Sequence, residues 1–184
     1  MPNWCGNTLA LEHEDPAKIT QAVEAFKKGE LLQTLVPNPS GEWDYGWSVD
    51  NWGTKWDVGG ETDANITSET SVTFVFDSAW APPIAAYEKM YDQGFKIYAM
   101  YYESGMAFAG IWEDGYDDYY EFSGMNSGEV ADMLPQELDN EFGISECMAE
   151  YEAEDEEPLT EWYEQGVEDK GLTPHTLVKE EPND

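Results

Sequence analysis

The chain contains no arginine, and only 8 lysines stand against 40 aspartates and glutamates, which gives a net charge of -32 on 184 residues. A net charge of about 2–8 already keeps a small domain soluble, so this acidity exceeds that need. A field of this sign repels nucleic acid and anionic membranes, and it attracts cations and basic protein surfaces. We therefore expect no direct contact with nucleic acid or membrane, and we expect a basic protein partner.

Cysteine and long apolar runs are also scarce. Cys5 and Cys147 are too few for a disulfide scaffold and are not in a metal-binding spacing, which fits a reducing cytosol. The N-terminus lacks a basic region followed by an apolar run, and no stretch approaches the roughly 20 apolar residues of a membrane span. These absences predict a cytoplasmic protein with two free thiols.

The sequence has no recognisable catalytic motif. His13 and His175 have no partner motif, and there is no nucleophile elbow, phosphate-binding loop, dinucleotide fingerprint or zinc-protease motif. The lack of arginine removes the bidentate clamp that phosphoryl-transfer sites favour. The acidic run 113–118 offers oxygen ligands but lacks the spacing of a calcium loop. We expect no enzyme, no cofactor and no specific metal site, with an enzyme of unrecognised type as the weakest alternative.

The hydrophobic and aromatic content nevertheless predicts a folded protein. Hydrophobic residues make up 41% of the chain and aromatic residues 14%, whereas disordered chains are poor in aromatics. The acids are unevenly distributed, since residues 101–184 carry 25 acids and 2 lysines. We expect one domain over residues 1–144, followed by an acidic helical extension and a loose tail over residues 145–184.

The order of the predicted elements defines the fold class. The patterns predict a strand, a helix, a strand, a helix and a three-stranded meander, at residues 7–13, 15–29, 70–76, 82–94 and 95–122. The meander is predicted to turn at Ser104-Gly105 and at Asp114-Gly115. This order is typical of an α+β fold with helices on one face of an antiparallel sheet, and a ferredoxin-like split βαβ plait fits best.

Four short motifs connect the chain to a known family. They are Met-Pro-Asn-Trp-Cys-Gly-Asn-Thr-Leu at the start, Val-Pro-Asn-Pro after the first helix, Asn-Trp-Gly-Thr-Lys-Trp-Asp at 51–57 and Ser-Ala-Trp-Ala-Pro-Pro at 78–83. In this order they resemble the YubB-like ferredoxin-like domain family of phages and conjugative plasmids, over about residues 1–122. The resemblance implies the plait and a mobile-element origin, and it supplies no catalytic residues and no iron–sulfur cluster.

Residues 40–65 are rich in tryptophan and glycine and predict a long ordered loop with one helical turn. Within it, Trp52, Lys55 and Trp56 combine two indoles with a cation, which is the composition of a stacking or cation–π surface. The alternative is a loop held in the core by its tryptophans, with Lys55 neutralising nearby acids.

The last strand of the meander interleaves tyrosines with acids. Strand alternation places Tyr116, Asp118 and Tyr120 on one face and Asp117, Tyr119 and Glu121 on the other. The acids either protect an exposed sheet edge from pairing or form a surface for a basic partner. The candidate partner-binding residues here are Asp114, Asp117, Asp118, Tyr119, Tyr120 and Glu121.

The extension carries six acids in the eight residues 150–157. A helix here places acids four residues apart about 6 Å from one another along one face, where like charges destabilise the helix. They are either a solvated, partly disordered tail or part of a binding surface. The candidate residues are Glu146, Glu150, Tyr151, Glu154, Glu157, Glu161, Trp162 and Glu164.

These observations lead to one functional hypothesis and its alternatives. The chain is expected to mimic DNA, with carboxylates replacing phosphates in the groove of a basic DNA- or RNA-binding host protein. Inhibition of a bacterial defence nuclease, of the restriction or CRISPR type, in the cytoplasm of an infected or plasmid-bearing host would be one instance. The alternatives are a non-enzymatic module that uses the tryptophan-rich loop, and acidity that serves only solubility or a halophilic origin.

Overall fold

The computed structural model describes residues 3–60 and 64–155. The strands in this part are β1 (Trp4–Glu12), β2 (Asn65–Ser68), β3 (Ser71–Ala79), β4 (Lys96–Glu103), β5 (Phe108–Glu113) and β6 (Tyr116–Glu121). The helices are α1 (Pro16–Lys28), α2 (Leu31–Leu35), α3 (Tyr45–Trp52), α4 (Ile84–Asp92), α5 (Ser127–Met133), α6 (Gln136–Phe142) and α7 (Ile144–Asp155).

The strands form one antiparallel sheet in the order β2-β3-β1-β4-β5-β6. In the first four strands, α1 lies between β1 and β2, and α4 connects β3 to β4, which is the connectivity of a split βαβ plait. The predicted α+β ferredoxin-like fold is therefore confirmed. β5 and β6 continue the sheet beyond β4 as a meander.

Local signals explain why α1 forms where it does. Asp15 is the N-cap residue and accepts a hydrogen bond from the Ala17 amide at 3.0 Å, while Pro16 occupies the first helical position. The helix ends at Gly29, whose φ of 70° lies in the left-handed region that favours glycine. These predicted ends are confirmed by the structure.

Strand alternation divides the interior into two apolar clusters on opposite faces of the sheet. Leu9 and Leu11 of β1 pack with α1, α2 and α4 on one face. On the other face, Met100 and Tyr102 of β4 pack against α5, α6 and the start of α7. The plait thus has its helices on one face, and the three C-terminal helices add a third layer on the opposite face.

The third layer is attached to the central strand as well as to the meander. Thr8 of β1 donates a hydrogen bond to Glu141 of α6 at 2.6 Å. The ring of Phe142 lies over Gly6, where an added Cβ would approach it to 3.4 Å. The predicted boundary between residues 144 and 145 falls at the first residue of α7, and Ile144 is fully buried in the second apolar cluster.

The two turns of the meander differ. Asp114 and Gly115 form the predicted two-residue turn, and both have positive φ, at 43° and 97°. The turn predicted at Ser104-Gly105 is instead a four-residue loop, since Glu103 pairs with Phe108. The buried carboxylate of Glu103 accepts hydrogen bonds from the amides of Gly105 and Met106, both at 2.8 Å, and so closes this longer loop.

The segment 40–65 contains more regular structure than the predicted loop with one turn. The carboxylate of Asp44 accepts a hydrogen bond from the Trp47 amide at 2.7 Å and starts α3, and Gly53, with φ of 86°, ends it. Aromatic residues are poor helix formers, so the sequence pattern gave little sign of these two turns.

Part of the predicted acidic extension lies outside the described residues. α7 confirms a helix from Ile144 to Asp155. The candidate residues Glu157, Glu161, Trp162 and Glu164 fall beyond it. In the part of the chain that the structure describes, no helix combines the length and apolar character needed to cross a membrane.

Candidate partner-binding surfaces

Charge is distributed unequally between the layers of the fold. Residues 97–155, which form most of β4, the β5–β6 hairpin and α5–α7, contain no lysine, arginine or histidine. The lysines of the described residues lie on the other side of the fold or at its margins, at Lys18, Lys27, Lys28, Lys55, Lys89 and Lys96. We call α5–α7 the acidic helical layer, because its surface presents carboxylates without a neighbouring cation.

Several acids of the acidic helical layer have structural roles. Glu129 completes a capping box with Asn126 at the start of α5, and Asp139 accepts hydrogen bonds from the amide and hydroxyl of Ser145. Glu152 of α7 accepts from the amide and hydroxyl of Ser127 at 2.7 and 2.6 Å, and these hydrogen bonds lower the pKa of the Glu152 carboxyl. These contacts tie α7 to α5.

Other acids of the layer are exposed and make no hydrogen bond or ion pair within the described residues: Asp132, Glu146, Glu150 and Glu154. The three on α7 lie at helical spacing along one face, about 6 Å apart. Tyr151, which is 72% exposed, is next to Glu150 on the same helix. α7 therefore presents a row of carboxylates with an aromatic side chain beside it.

The predicted residues of β6 lie on both faces of the sheet, as strand alternation requires. Asp118 and Tyr120 face α5–α7, and Tyr120 packs against the second apolar cluster. Tyr119 and Glu121 face the α4 side, where the Tyr119 ring lies 5.6 Å from that of Phe108. Of the predicted partner-binding residues of β6, Asp118 and Tyr120 are those on the side of the acidic helical layer.

Two of the predicted residues of the β5–β6 hairpin are engaged within the protein. Asp114 accepts a hydrogen bond from the Ile97 amide at 2.8 Å, which fixes the hairpin turn against the start of β4. Asp117 accepts one from the hydroxyl of Tyr101 at 2.7 Å. Partial burial raises the pKa of the Asp117 carboxyl, and burial also raises the pKa of Tyr101. Both acids have structural roles besides any contact with a partner.

The structure also assembles an exposed group of aromatic side chains, which we call the aromatic surface. Its members are between 38% and 58% exposed: Trp4, Trp43, Tyr45, Trp56 and Trp80. They come from the start of β1, the segment around α3 and the residue after β3. Trp4 and Trp56 have ring centroids 6.0 Å apart, and Tyr45 meets Trp80 edge-on at 6.3 Å.

Lys55 lies at the centre of the aromatic surface. Its Nζ is 4.5 Å from the ring centroid of Trp56 and 5.1 Å from that of Trp80. Trp80 has φ of 72°, a conformation that costs a residue of this kind about 1–3 kcal/mol and is concentrated at functional sites. Lys55 makes no ion pair with an acid of the described residues, and the alternative in which it neutralises nearby acids stays a prediction.

The predicted tryptophan site is thus partly corrected. Trp52 is buried, and its Nε1 donates a hydrogen bond to the Val36 carbonyl at 2.8 Å, so it anchors the segment and is closed to a partner. Trp56 is exposed and Lys55 is half-buried. Sequence reasoning missed Trp4 and Trp80, although both lie inside the motifs that carry the family resemblance.

Asp57, the last residue of the tryptophan motif, also has a structural role. Its carboxylate accepts hydrogen bonds from the amides of Leu32, Gln33 and Val58 at 2.7 to 2.8 Å. The first two are otherwise unpaired donors in the first turn of α2. Burial raises the pKa of the Asp57 carboxyl.

Metal ligation finds no support in the described geometry. Within residues 3–60 and 64–155, no group of three His, Cys, Asp or Glu side chains is placed to hold a metal ion. Despite the acidity, the carboxylates are dispersed over the surface.

Comparison of the chain with protein-family models, curated proteins and solved structures gives no match in any of the three. The resemblance to the YubB-like family rests on the four sequence motifs alone and stays a prediction.

Proposed function

We propose that this protein is a non-enzymatic binding protein whose acidic helical layer occupies the nucleic-acid-binding groove of a basic protein. The carboxylates of α5–α7 would take the positions of backbone phosphates and displace the anions that the groove normally holds. One observation carries the proposal: a complete structural layer has no basic side chain, and its exposed acids Glu146, Glu150 and Glu154 have no structural partner within the described part.

The arrangement of α7 supports this function more than solubility alone. Like charges spaced four residues apart destabilise a helix by a few tenths of a kcal/mol for each pair, so the fold gains nothing from them. Solubility requires dispersed charge of either sign, whereas lysines are absent from this layer. Tyr151 adds the kind of exposed aromatic that forms the apolar centre of protein interfaces.

Long-range attraction would make the association fast and strongly dependent on salt. The test uses a bacterial fraction that has been bound to and eluted from DNA-cellulose, because this fraction is enriched in basic DNA-binding proteins. The immobilised protein is expected to retain one or a few of these proteins at low salt. Duplex DNA and increasing salt should both release them.

Three results would contradict the proposal. Retention that duplex DNA does not reduce would mean that the nucleic-acid groove is not the contact. The absence of any retained protein from hosts of several types would mean that the charge serves another purpose. Retention unaffected by salt would also argue against a contact made by carboxylates.

The mobile-element resemblance suggests which partner is involved. A phage or plasmid benefits from blocking host nucleases that act on its DNA, and such nucleases have extended basic grooves. We infer that a defence nuclease in the host cytoplasm is the partner class, and the retained proteins can be identified to test this.

A second candidate function is binding through the aromatic surface. Five exposed aromatic side chains around Lys55, one of them on a strained backbone, are more than the scattered exposed aromatics of an ordinary surface. Tryptophan and tyrosine carry much of the energy at protein interfaces. Loss of partner retention on substitution of Trp56, with no effect of acidic-layer substitutions, would favour this function.

A further inference from the structure

A cleft of about 450 Å³ opens beside the aromatic surface, between the second half of β3 and the residues that follow α3. Trp4 and Trp56 form an aromatic wall of this cleft, and Val58 and Ala79 add apolar surface. Lys55, which lies over the ring of Trp56, and Trp80 are not among the residues that line it. The cleft therefore shares Trp4 and Trp56 with the aromatic surface but adds residues of its own.

The charged side chains that line the cleft are two carboxylates, Asp57 and Asp77. Both oxygens of Asp57 accept hydrogen bonds from backbone amides, so this residue has little capacity left for a ligand. Asp77, in contrast, is exposed and makes no hydrogen bond or ion pair with the described residues. A ligand therefore meets one available carboxylate beside an aromatic wall.

The geometry of the indole pair limits how a ligand can bind. The ring centroids of Trp4 and Trp56 are 6.0 Å apart and their planes are tilted by 41°. A planar group stacked between two rings needs about 3.5 Å on each side, or about 7 Å in all, so no planar group fits between these two indoles. A planar ligand must instead stack on the side of the pair that faces the cleft, next to Asp77.

We propose that this cleft binds the guanidinium of an arginine side chain from a protein partner. The planar cation stacks on the cleft side of the Trp4 and Trp56 indoles and donates hydrogen bonds to the carboxylate of Asp77. Charge complementarity supports this occupant, since the molecule has a net charge of -32 and the cleft carries acceptors and π surfaces.

The same chemistry disfavours other occupants. An ammonium is compact and strongly hydrated, and it does not stack, so a lysine uses the aromatic wall less well. A neutral sugar can stack on indoles and donate its hydroxyls to Asp77, but it carries no charge to complement the carboxylate and the negative field. An anion would be repelled by both the carboxylate and the overall field.

The cleft borders the acidic helical layer. A Cβ added at Gly6 would lie 3.4 Å from Phe142 of α6 and 3.8 Å from an oxygen of Asp77, so α6 ends next to the cleft. A basic partner on the acidic helical layer could place an arginine here. This role in a complex rests on the proposed function, but the cleft shares no residue with that layer, so the two proposals can fail separately.

The direct test is titration of the full chain with a blocked Gly-Arg-Gly peptide at an ionic strength of about 0.15 M, where diffuse attraction is screened. The indole N–H signals in a ¹⁵N correlation spectrum, assigned with single Trp→Phe variants, report the site. We expect saturable shifts of the Trp4 and Trp56 signals. Matched peptides with citrulline or lysine in place of arginine, and a neutral disaccharide, serve as comparisons.

Two variants of equal charge separate the cleft from the general field. Asp77→Asn should lower the affinity for the arginine peptide about tenfold, because it removes a charge-assisted hydrogen bond. Glu88→Gln, on the exposed face of α4, should change the affinity by less than about twofold. The native Tm of each variant confirms that it is folded.

Four results would overturn the assignment. Equal binding of the citrulline peptide would indicate an apolar site, and equal binding of the lysine peptide would remove the role of the planar guanidinium. Saturation by the disaccharide alone would indicate a carbohydrate site. Equal weakening by Asp77→Asn and Glu88→Gln would reduce the interaction to diffuse electrostatics.

Discussion

The hydroxyl of Tyr101 donates a hydrogen bond to Asp117 at 2.7 Å, across the intervening strand β5. Tyr101 lies on β4 and Asp117 on β6, and the residue on β5 that pairs with Tyr101 is Gly110. The phenol crosses the space that a side chain at Gly110 would fill. The outer strand is thus held to β4 by a contact that only glycine on β5 permits.

Gly110→Ala should destabilise the protein by about 2–3 kcal/mol. An added Cβ would overlap the Tyr101 phenol and lie 2.7 Å from the backbone oxygen of Asp118, so both the hydrogen bond and the β5–β6 pairing would have to shift. Urea unfolding measures the change in free energy.

Gly46→Ala is the matched control for this substitution. Gly46 lies in the first turn of α3, and its φ is not positive. A Cβ added there would make only an ordinary contact of 3.6 Å with the side chain of Asp44. Alanine there should stabilise by about 0.5 kcal/mol. Equal effects of the two alanines would contradict the close approach at Gly110.

Asp57→Ala should destabilise by about 2–4 kcal/mol, because it leaves the amides of Leu32, Gln33 and Val58 without their acceptor. The destabilisation by Asp57→Asn should be smaller than that by Asp57→Ala, since the single side-chain oxygen of asparagine can accept from only some of the three amides. Asp50→Ala, at an exposed position of α3 with no side-chain hydrogen bond, should change stability by less than about 0.5 kcal/mol. An Asp57→Ala variant as stable as the parent protein would show that the tryptophan motif does not depend on this anchor.

The two cysteines should differ sharply in reactivity. Burial raises the pKa of the Cys5 thiol to about 12, whereas Cys147 on α7 is exposed. Because the thiolate is the reactive form, a disulfide reagent near pH 8 should modify Cys147 rapidly and leave Cys5 until the chain is unfolded. Cys147→Ser should abolish the fast phase. Rapid loss of both thiols in the native protein would contradict the burial of β1.

Stability should rise as the pH falls from neutrality towards the unfolded-state pKa of an aspartate, about 4. Burial raises the pKa of Asp57 and of Asp117 above their unfolded values, so ionising them opposes folding, and this cost declines as the pH falls through their folded pKa values. Glu152 acts in the opposite sense, since its lowered pKa gives stability that is lost only at still lower pH. The Tm measured across this range is the test.

Added salt at pH 7 should raise the Tm as well, because it screens the repulsion among carboxylates. A Tm that falls on acidification to pH 5, or that is unaffected by salt, would show that charge repulsion is not a major term in the stability of this fold.

The plait could be predicted from the sequence because its signals are local. Asp15, Pro16 and Gly29 mark the ends of α1, and Asp114-Gly115 marks a tight hairpin. β2 escaped prediction because its residues are exposed and lack an alternating pattern. α3 escaped because its tryptophan-rich sequence has little helical propensity and depends on the caps at Asp44 and Gly53.

The candidate surfaces could be predicted only in part. The acidic row on α7 follows from residue spacing, which a helix converts directly into position. The aromatic surface does not, because Trp4 and Trp56 are far apart in sequence and meet through the sheet and the segment after α3. No local pattern distinguishes the buried Trp52 from the exposed Trp56, since tertiary packing decides between them.

The most direct test of the proposed function compares two triple variants of equal charge in competition with duplex DNA for a retained DNA-binding protein. E146Q/E150Q/E154Q neutralises the exposed row on α7, and E14Q/E69Q/E88Q neutralises exposed acids elsewhere. The first variant should bind the DNA-binding protein about tenfold more weakly, so less duplex DNA should displace it. It should remain at least as stable as the parent protein. The second should behave like the parent protein. Equal losses in the two variants, or none in either, would contradict binding through the acidic helical layer.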